Sequence, residues 1–182
     1  MKRVDRIDRK TKMHVEDFEQ LSNLSGVARN NLSMESMAKV IEACCTFPAI
    51  EKMKLFQRTI FNFFIGNQNM HLKQFSIITQ NDKIELTPAY GLLNTTIAFD
   101  KPDDEISLPI MGKKKDLNRQ IMIDYFAKEV MGLTDRTIQS VLAQIQSSIP
   151  VCKELIYGSF LSNKMKVKYS KLLNARLQVI FP

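Results

Sequence analysis

The stretch Gly66-Asn67-Gln68-Asn69-Met70-His71-Leu72-Lys73-Gln74-Phe75-Ser76 lies between two segments of different hydrophobic period. Upstream, Met53, Phe56, Ile60 and Phe64 follow Pro48 at three- and four-residue steps, and Leu55, Phe61, Phe63 and Ile65 fill the other faces. Proline suits the first turn of a helix, and a helix that is apolar most of the way round is a buried one. A central helix is therefore predicted over residues 48–65, ended by Gly66. Downstream, residues 75–79 and 83–86 are short β-prone runs around Gln80-Asn81-Asp82, the composition of a hairpin turn. The hairpin exits into Leu86-Thr87-Pro88-Ala89-Tyr90-Gly91-Leu92-Leu93-Asn94-Thr95. A loop, a hairpin and a second loop bring two distant stretches of chain together.

Outward from this centre the pattern is helical. Residues 1–12 read as irregular, 14–24 as a short helix burying Val15, Phe18 and Leu21, 25–33 as a polar loop and 34–45 as a second helix. Residues 105–111 read as extended, before the loop Gly112-Lys113-Lys114-Lys115. Leu117, Ile121, Tyr125 and Phe126 then form one stripe, with Gly132 as its stop and Thr134 as the next N-cap. Ile138, Val141, Leu142, Ile145 and Ile149 form another, which Pro150 is expected to break. A helix over 151–160 and a last one capped by Ser162 complete a mainly α chain with a small β-hairpin. With no internal repeat and no Pro/Gly linker, residues 1–182 are expected to be a single packed unit.

Bulk properties narrow the function classes. The 182 residues are 45% hydrophobic and 25% charged, ordinary values for a globular chain. The greasiest stretch, 59–66, already contains Asn62, so no run approaches the roughly 18 to 20 apolar residues of a membrane helix. The basic start has no apolar region behind it, which argues against a signal peptide and for the cytoplasm. Cys44, Cys45 and Cys152 are an odd set with an adjacent pair, suited to reduced thiols rather than a disulfide framework. His14 and His71 are the only histidines, and no zinc spacing is present. A net charge of +7, carried by 2–12, 113–115 and 164–171, permits attraction to nucleic acid or an acidic partner without naming one.

Protein kinases use the same loop–hairpin–loop device: a catalytic-loop Asp, an Asn five residues later that binds metal, and a second Asp beyond a hairpin that holds Mg²⁺. The two loops quoted above resemble the HipA family's Gly-Asn-x-Asp-x-His-x-Lys-Asn-x-Ser followed by Thr-Pro-x-Tyr-Asp-Leu-Leu. The resemblance extends to Arg6-Ile7-Asp8-Arg9, His14-Val15-Glu16-Asp17-Phe18, Gly112-Lys113-Lys114 and Ser159-Phe160-Leu161-Ser162, and so covers nearly the whole chain. It implies the C-terminal lobe of a protein-kinase-like, HipA-type serine/threonine kinase.

The resemblance also assigns positions. Asn69 stands where the family has its catalytic Asp, Gln74 where it has the metal-binding Asn and Gly91 where it has the second metal-binding Asp. His71, Lys73, Ser76, Pro88 and Tyr90 match the family. An amide at Asn69 removes the proton acceptor but keeps the shape. Glycine at 91 offers no side-chain oxygen, and Mg²⁺ prefers hard anionic ligands. Lys73 is then expected to lack its acidic neighbours. ATP and Mg²⁺ belong to the family, but these substitutions count against either binding here, and no residue is assigned to the nucleotide.

A kinase of this type also has an N-terminal lobe with a phosphate-covering glycine-rich loop. No Gly-x-Gly-x-x-Gly is possible before Gly66, and Gly112-Lys113 lacks the rest of a P-loop. The N-terminal lobe is accordingly expected to be absent from this chain. HipA-family proteins are toxins of bacterial toxin–antitoxin modules, held by a DNA-binding antitoxin. Three functions therefore compete: an impaired, pseudokinase lobe that binds a HipB-type antitoxin, with indirect DNA association; a subunit of an active protein serine kinase completed by a separate N-terminal lobe; and a decayed fragment without activity.

Overall fold

The computed structural model describes residues 4–6, 8–24, 32–98 and 104–182. Its central element is the apolar helix that the spacing predicts. We label it α3, Pro48–Ile65, after α1 at Phe18–Leu24 and α2 at Met34–Cys44. Leu55, Phe56, Ile60 and Phe63 on α3 are fully buried. Each such side chain contributes about 1.5 to 3 kcal/mol by leaving water, so α3 anchors the core. It stops at Gly66, whose φ of +71° is the left-handed cap that glycine adopts most easily. A Cβ at 66 would lie 2.5 Å from Leu172 and 2.9 Å from Thr96 Oγ1, so the site excludes any side chain as well.

Around α3 the chain builds a three-stranded antiparallel sheet and a layer of helices. The strands are β1 (His14–Asp17), β2 (Ser76–Gln80) and β3 (Lys83–Leu86), in that spatial order. Val15 pairs with Ile78 in one register and Ile77 with Leu86 in the other. A π-helix, Gln120–Val130, is followed by α4, Asp135–Gly158, and α5, Asn163–Ile180. Gly132 (φ +67°) stops the π-helix, and Thr134 and Ser162 cap α4 and α5 by accepting from the N–H groups of Thr137 and Met165. The architecture is thus mainly α with a small sheet, as the sequence indicates.

Several local readings are corrected. Residues 14–24 are not one helix: the first four pair with β2, because hydrogen bonds to the neighbouring strand outweigh a helical spacing too short to nucleate alone. The hairpin therefore carries a third strand. Pro150 does not break its helix, and α4 continues to Gly158. Both Pro150 and Gln146, whose carbonyl loses its donor there, are exposed residues, so water is able to replace that bond. The run 105–111 is not a strand; only Ile110 makes a bridge, to Lys113. Most of the loop expected over 25–33, at residues 25–31, lies outside the described residues, as does Ile7.

The three thiols are free, with Cys45 buried and Cys44 and Cys152 half-buried. No helix among the described residues is long and apolar enough to cross a membrane.

Candidate functional site

The loop after α3 is held from inside. Asn67 is buried, and its Nδ2 donates to Asn62 Oδ1 at 3.1 Å and to the Gly91 carbonyl at 2.9 Å. Its Oδ1 accepts the Asn69 N–H at 3.1 Å. One side chain thus sets the position of Asn69, which faces solvent, relative to Gly91. Gly66 reinforces the join, because its carbonyl accepts the N–H groups of Thr95 and Thr96, each at 3.1 Å.

The second half of the loop is a short 3-10 helix, Leu72–Gln74, begun at His71 in extended backbone. The His71 carbonyl accepts the Gln74 N–H at 2.9 Å, and the Phe75 carbonyl accepts the Phe18 N–H at 3.0 Å. Ser76 Oγ and the Tyr90 hydroxyl are 2.6 Å apart, and that hydroxyl donates to the Lys73 carbonyl at 3.1 Å. Arg58, buried on α3, bonds the Thr87 carbonyl, and its guanidinium lies 6.0 Å from the Phe75 ring. Burial pulls that guanidinium below its ordinary value. The two loops are therefore braced from α3, from the hairpin and from each other.

Among the sequence-assigned residues, Gln74 and Gly91 are brought into contact. Gly91 has φ +66°, and a Cβ there would sit 3.3 Å from Gln74 Cδ and closer still to Oε1. Asn69 joins them through Asn67. His71 takes part through its backbone. Lys73 corrects an expectation: it does not lack an acidic neighbour, because Nζ lies 3.1 Å from Glu19 Oε2 on α1. The side chains are 59% and 39% exposed, so the pair is worth little in stability, but it gives the loop lysine an acidic partner.

A divalent cation does not fit these residues. The oxygens at the assigned positions are two amide groups and the Gly91 carbonyl, which Asn67 already occupies. None carries negative charge, whereas Mg²⁺ favours carboxylates. Among the described residues, no group of three His, Cys, Asp or Glu side chains is arranged to hold a metal ion.

Two contributors escape a reading of the sequence for family positions. Glu19 is 54 residues from Lys73 and carries no local signal. Arg58 does carry one, a cation inside an otherwise apolar helix. Asn67 matches the Gly-Asn that opens the family's pattern, but its bonds to Asn62 and Gly91 are seen only in the fold.

The family described as HipA-like C-terminal domain matches residues 1–152. A curated relative from Sinorhizobium fredii (strain NBRC 101917 / NGR234), named Putative kinase Y4mE, is 34% identical over 70 residues, which is 38% of this chain and 16% of that protein. Among solved structures, HipA from the Shewanella oneidensis MR-1 toxin–antitoxin complex of HipA, HipB and operator DNA matches with a TM-score of 0.76 and 21% identity. That match covers 97% of this chain and 47% of HipA, so the chain spans about half of that protein's length and shares its kinase-like fold.

Proposed function

From the premise that this chain belongs to the HipA-like C-terminal domain family, we propose that it is a kinase-type lobe with impaired phosphoryl transfer that acts by binding protein within a toxin–antitoxin system. The observation that carries the proposal is the meeting of Gln74 and Gly91. Two positions assigned to metal binding are brought together by an intact scaffold, and neither has a carboxylate. Losing both the proton acceptor at 69 and the charge that holds the cation removes the two electrostatic parts of phosphoryl transfer, while positioning remains.

A binding role is supported by exposed apolar side chains. Leu93, Leu155 and Phe160 are at least 59% exposed, and Leu92 and Leu155 line a shallow groove between α3, α4 and α5. A HipB-type antitoxin, as in the Shewanella complex, is the proposed partner, with operator DNA reached through it. Cytoplasmic residence belongs to the same proposal.

Co-purification and calorimetry with a HipB-type antitoxin test the binding role, and a stable complex is expected. A second reading, a subunit completed by a separately encoded N-terminal lobe, is favoured by the retained bracing of Asn69, His71 and Lys73. Supplying such a lobe with Mg·ATP separates the two. Phosphate transfer that Asn69→Ala abolishes supports the split enzyme and contradicts the impaired one.

A further inference from the structure

We infer that Gln74 and Gly91 are a matched pair, in which the amide head of the glutamine fills the volume that a side chain at 91 needs, so neither position regains a metal ligand without the other. This rests on the reading of 74 and 91 as the family's metal positions.

Both backbones are pinned. Gln74 sits on the 3-10 helix closed by its own bond to the His71 carbonyl and by Phe75 N–H to the Leu72 carbonyl at 3.1 Å. Gly91 is held by Asn67 at its carbonyl and follows Tyr90, whose hydroxyl is tied to Ser76 and Lys73. The two Cα positions are therefore set by the scaffold, and the glutamine side chain spans the rest of the gap to the bare Cα of Gly91. Glutamine reaches one methylene further than asparagine, and that reach carries Oε1 into the place of a Cβ at 91.

The order of change follows from the geometry. A carboxylate installed at 91 beside Gln74 meets the amide head and must displace it, whereas asparagine at 74 withdraws its head by about one carbon–carbon bond. Aspartate is a reasonable occupant of the Gly91 backbone, since Asp and Asn tolerate positive φ better than other side chains. Mg²⁺ and Mn²⁺ need oxygen ligands at about 2.0 to 2.2 Å in near-octahedral array. With the glutamine head in place the two compete for one volume, and the array forms only once that head has moved. The site is thus filled, and its ligands are coupled.

The test uses the full chain and the metal alone. In ¹⁵N spectra, the side-chain amide resonance of Gln74, identified by its loss in Gln74→Asn, is expected to move in Gly91→Ala; Gly91→Asn repeats the measurement on a better tolerated backbone. Mn²⁺ titration by electron paramagnetic resonance then compares the wild type, Gln74→Asn, Gly91→Asp and the double variant. The double variant is expected to bind Mn²⁺ at least about tenfold more tightly than either single variant, a difference of about 1.4 kcal/mol. An unmoved Gln74 resonance, or a Gly91→Asp variant that binds as tightly as the double, overturns the inference. If the resonance moves but Mn²⁺ binds neither the double variant nor its combination with Asn69→Asp, the assignment of these residues as metal positions is wrong, and the inference falls with it.

Discussion

Asn67, itself buried, donates from Nδ2 to the Gly91 carbonyl at 2.9 Å, and this bond joins the loop after α3 to the loop after the hairpin. With Asn62 and the Asn69 N–H as its other partners, Asn67 determines where Asn69 stands. Asn67→Ala removes three hydrogen bonds, one of them buried and two partly buried, at a cost of about 3 kcal/mol in all. For a chain of this size that lowers the melting temperature by roughly 6 to 12 °C. A thermal scan unchanged within a degree would contradict the role given to Asn67.

Arg176 supplies a second buried joint. Its guanidinium lies 4.3 Å from the Phe63 ring centroid, and Nη1 is 3.4 Å from Glu105 Oε1, so α5 is fastened both to α3 and to the loop before the π-helix. Removing one partner of a buried ion pair is more damaging than replacing the pair. Arg176→Ala is expected to cost about 3 to 4 kcal/mol in urea unfolding, and the double change Arg176→Met with Glu105→Gln about half of that. Equal losses in both would remove the ion pair from the account.

Burial, with Glu51 second, pushes the Cys45 thiol up to about 12 from its ordinary 9.0. At pH 8 the folded protein then holds about a thousandfold less thiolate at this position than an ordinary thiol does. Alkylation followed by mass spectrometry should leave Cys45 unmodified until the chain unfolds. Because the folded value is raised, the unfolded chain releases this proton first. Stability therefore falls as pH climbs from about 9 toward about 12, and Cys45→Ala should flatten that fall.

Pro150 lies inside α4 on its solvent face. Pro150→Ala restores a backbone donor to a helix that is already continuous, so it is expected to raise stability by about 1 to 3 kcal/mol. A lower melting temperature would mean that the proline shapes α4 in a way the helix depends on.

Legibility in the sequence followed local spacing and failed where partners are distant. The apolar steps from Met53 to Phe64, the stop at Gly66, and the caps Thr134 and Ser162 are local signals, and each reappears as the element it announces. β1 was hidden, because Val15 and Phe18 sit three residues apart and mimic a helix while Val15 pairs with Ile78, 63 positions away. Continuity through Pro150 was hidden for a different reason: whether solvent can satisfy the freed Gln146 carbonyl depends on which face the packed helix turns outward. At the site, the quoted loops carried the family and its substituted positions. The salt bridge from Glu19 to Lys73 and the intrusion of Gln74 beside Gly91 are tertiary facts, and no spacing rule reaches them.

The central claim is that the scaffold is kept while metal-dependent transfer is lost. The direct measurement follows labelled γ-phosphate from Mg·ATP into protein serine, with this chain supplied with an N-terminal lobe from a family relative. Transfer at the level of the blank, unchanged by Asn69→Ala, is the predicted result. Transfer above the blank that Asn69→Ala abolishes would show that the amide set at 69 and 74 still supports catalysis, and would contradict the account.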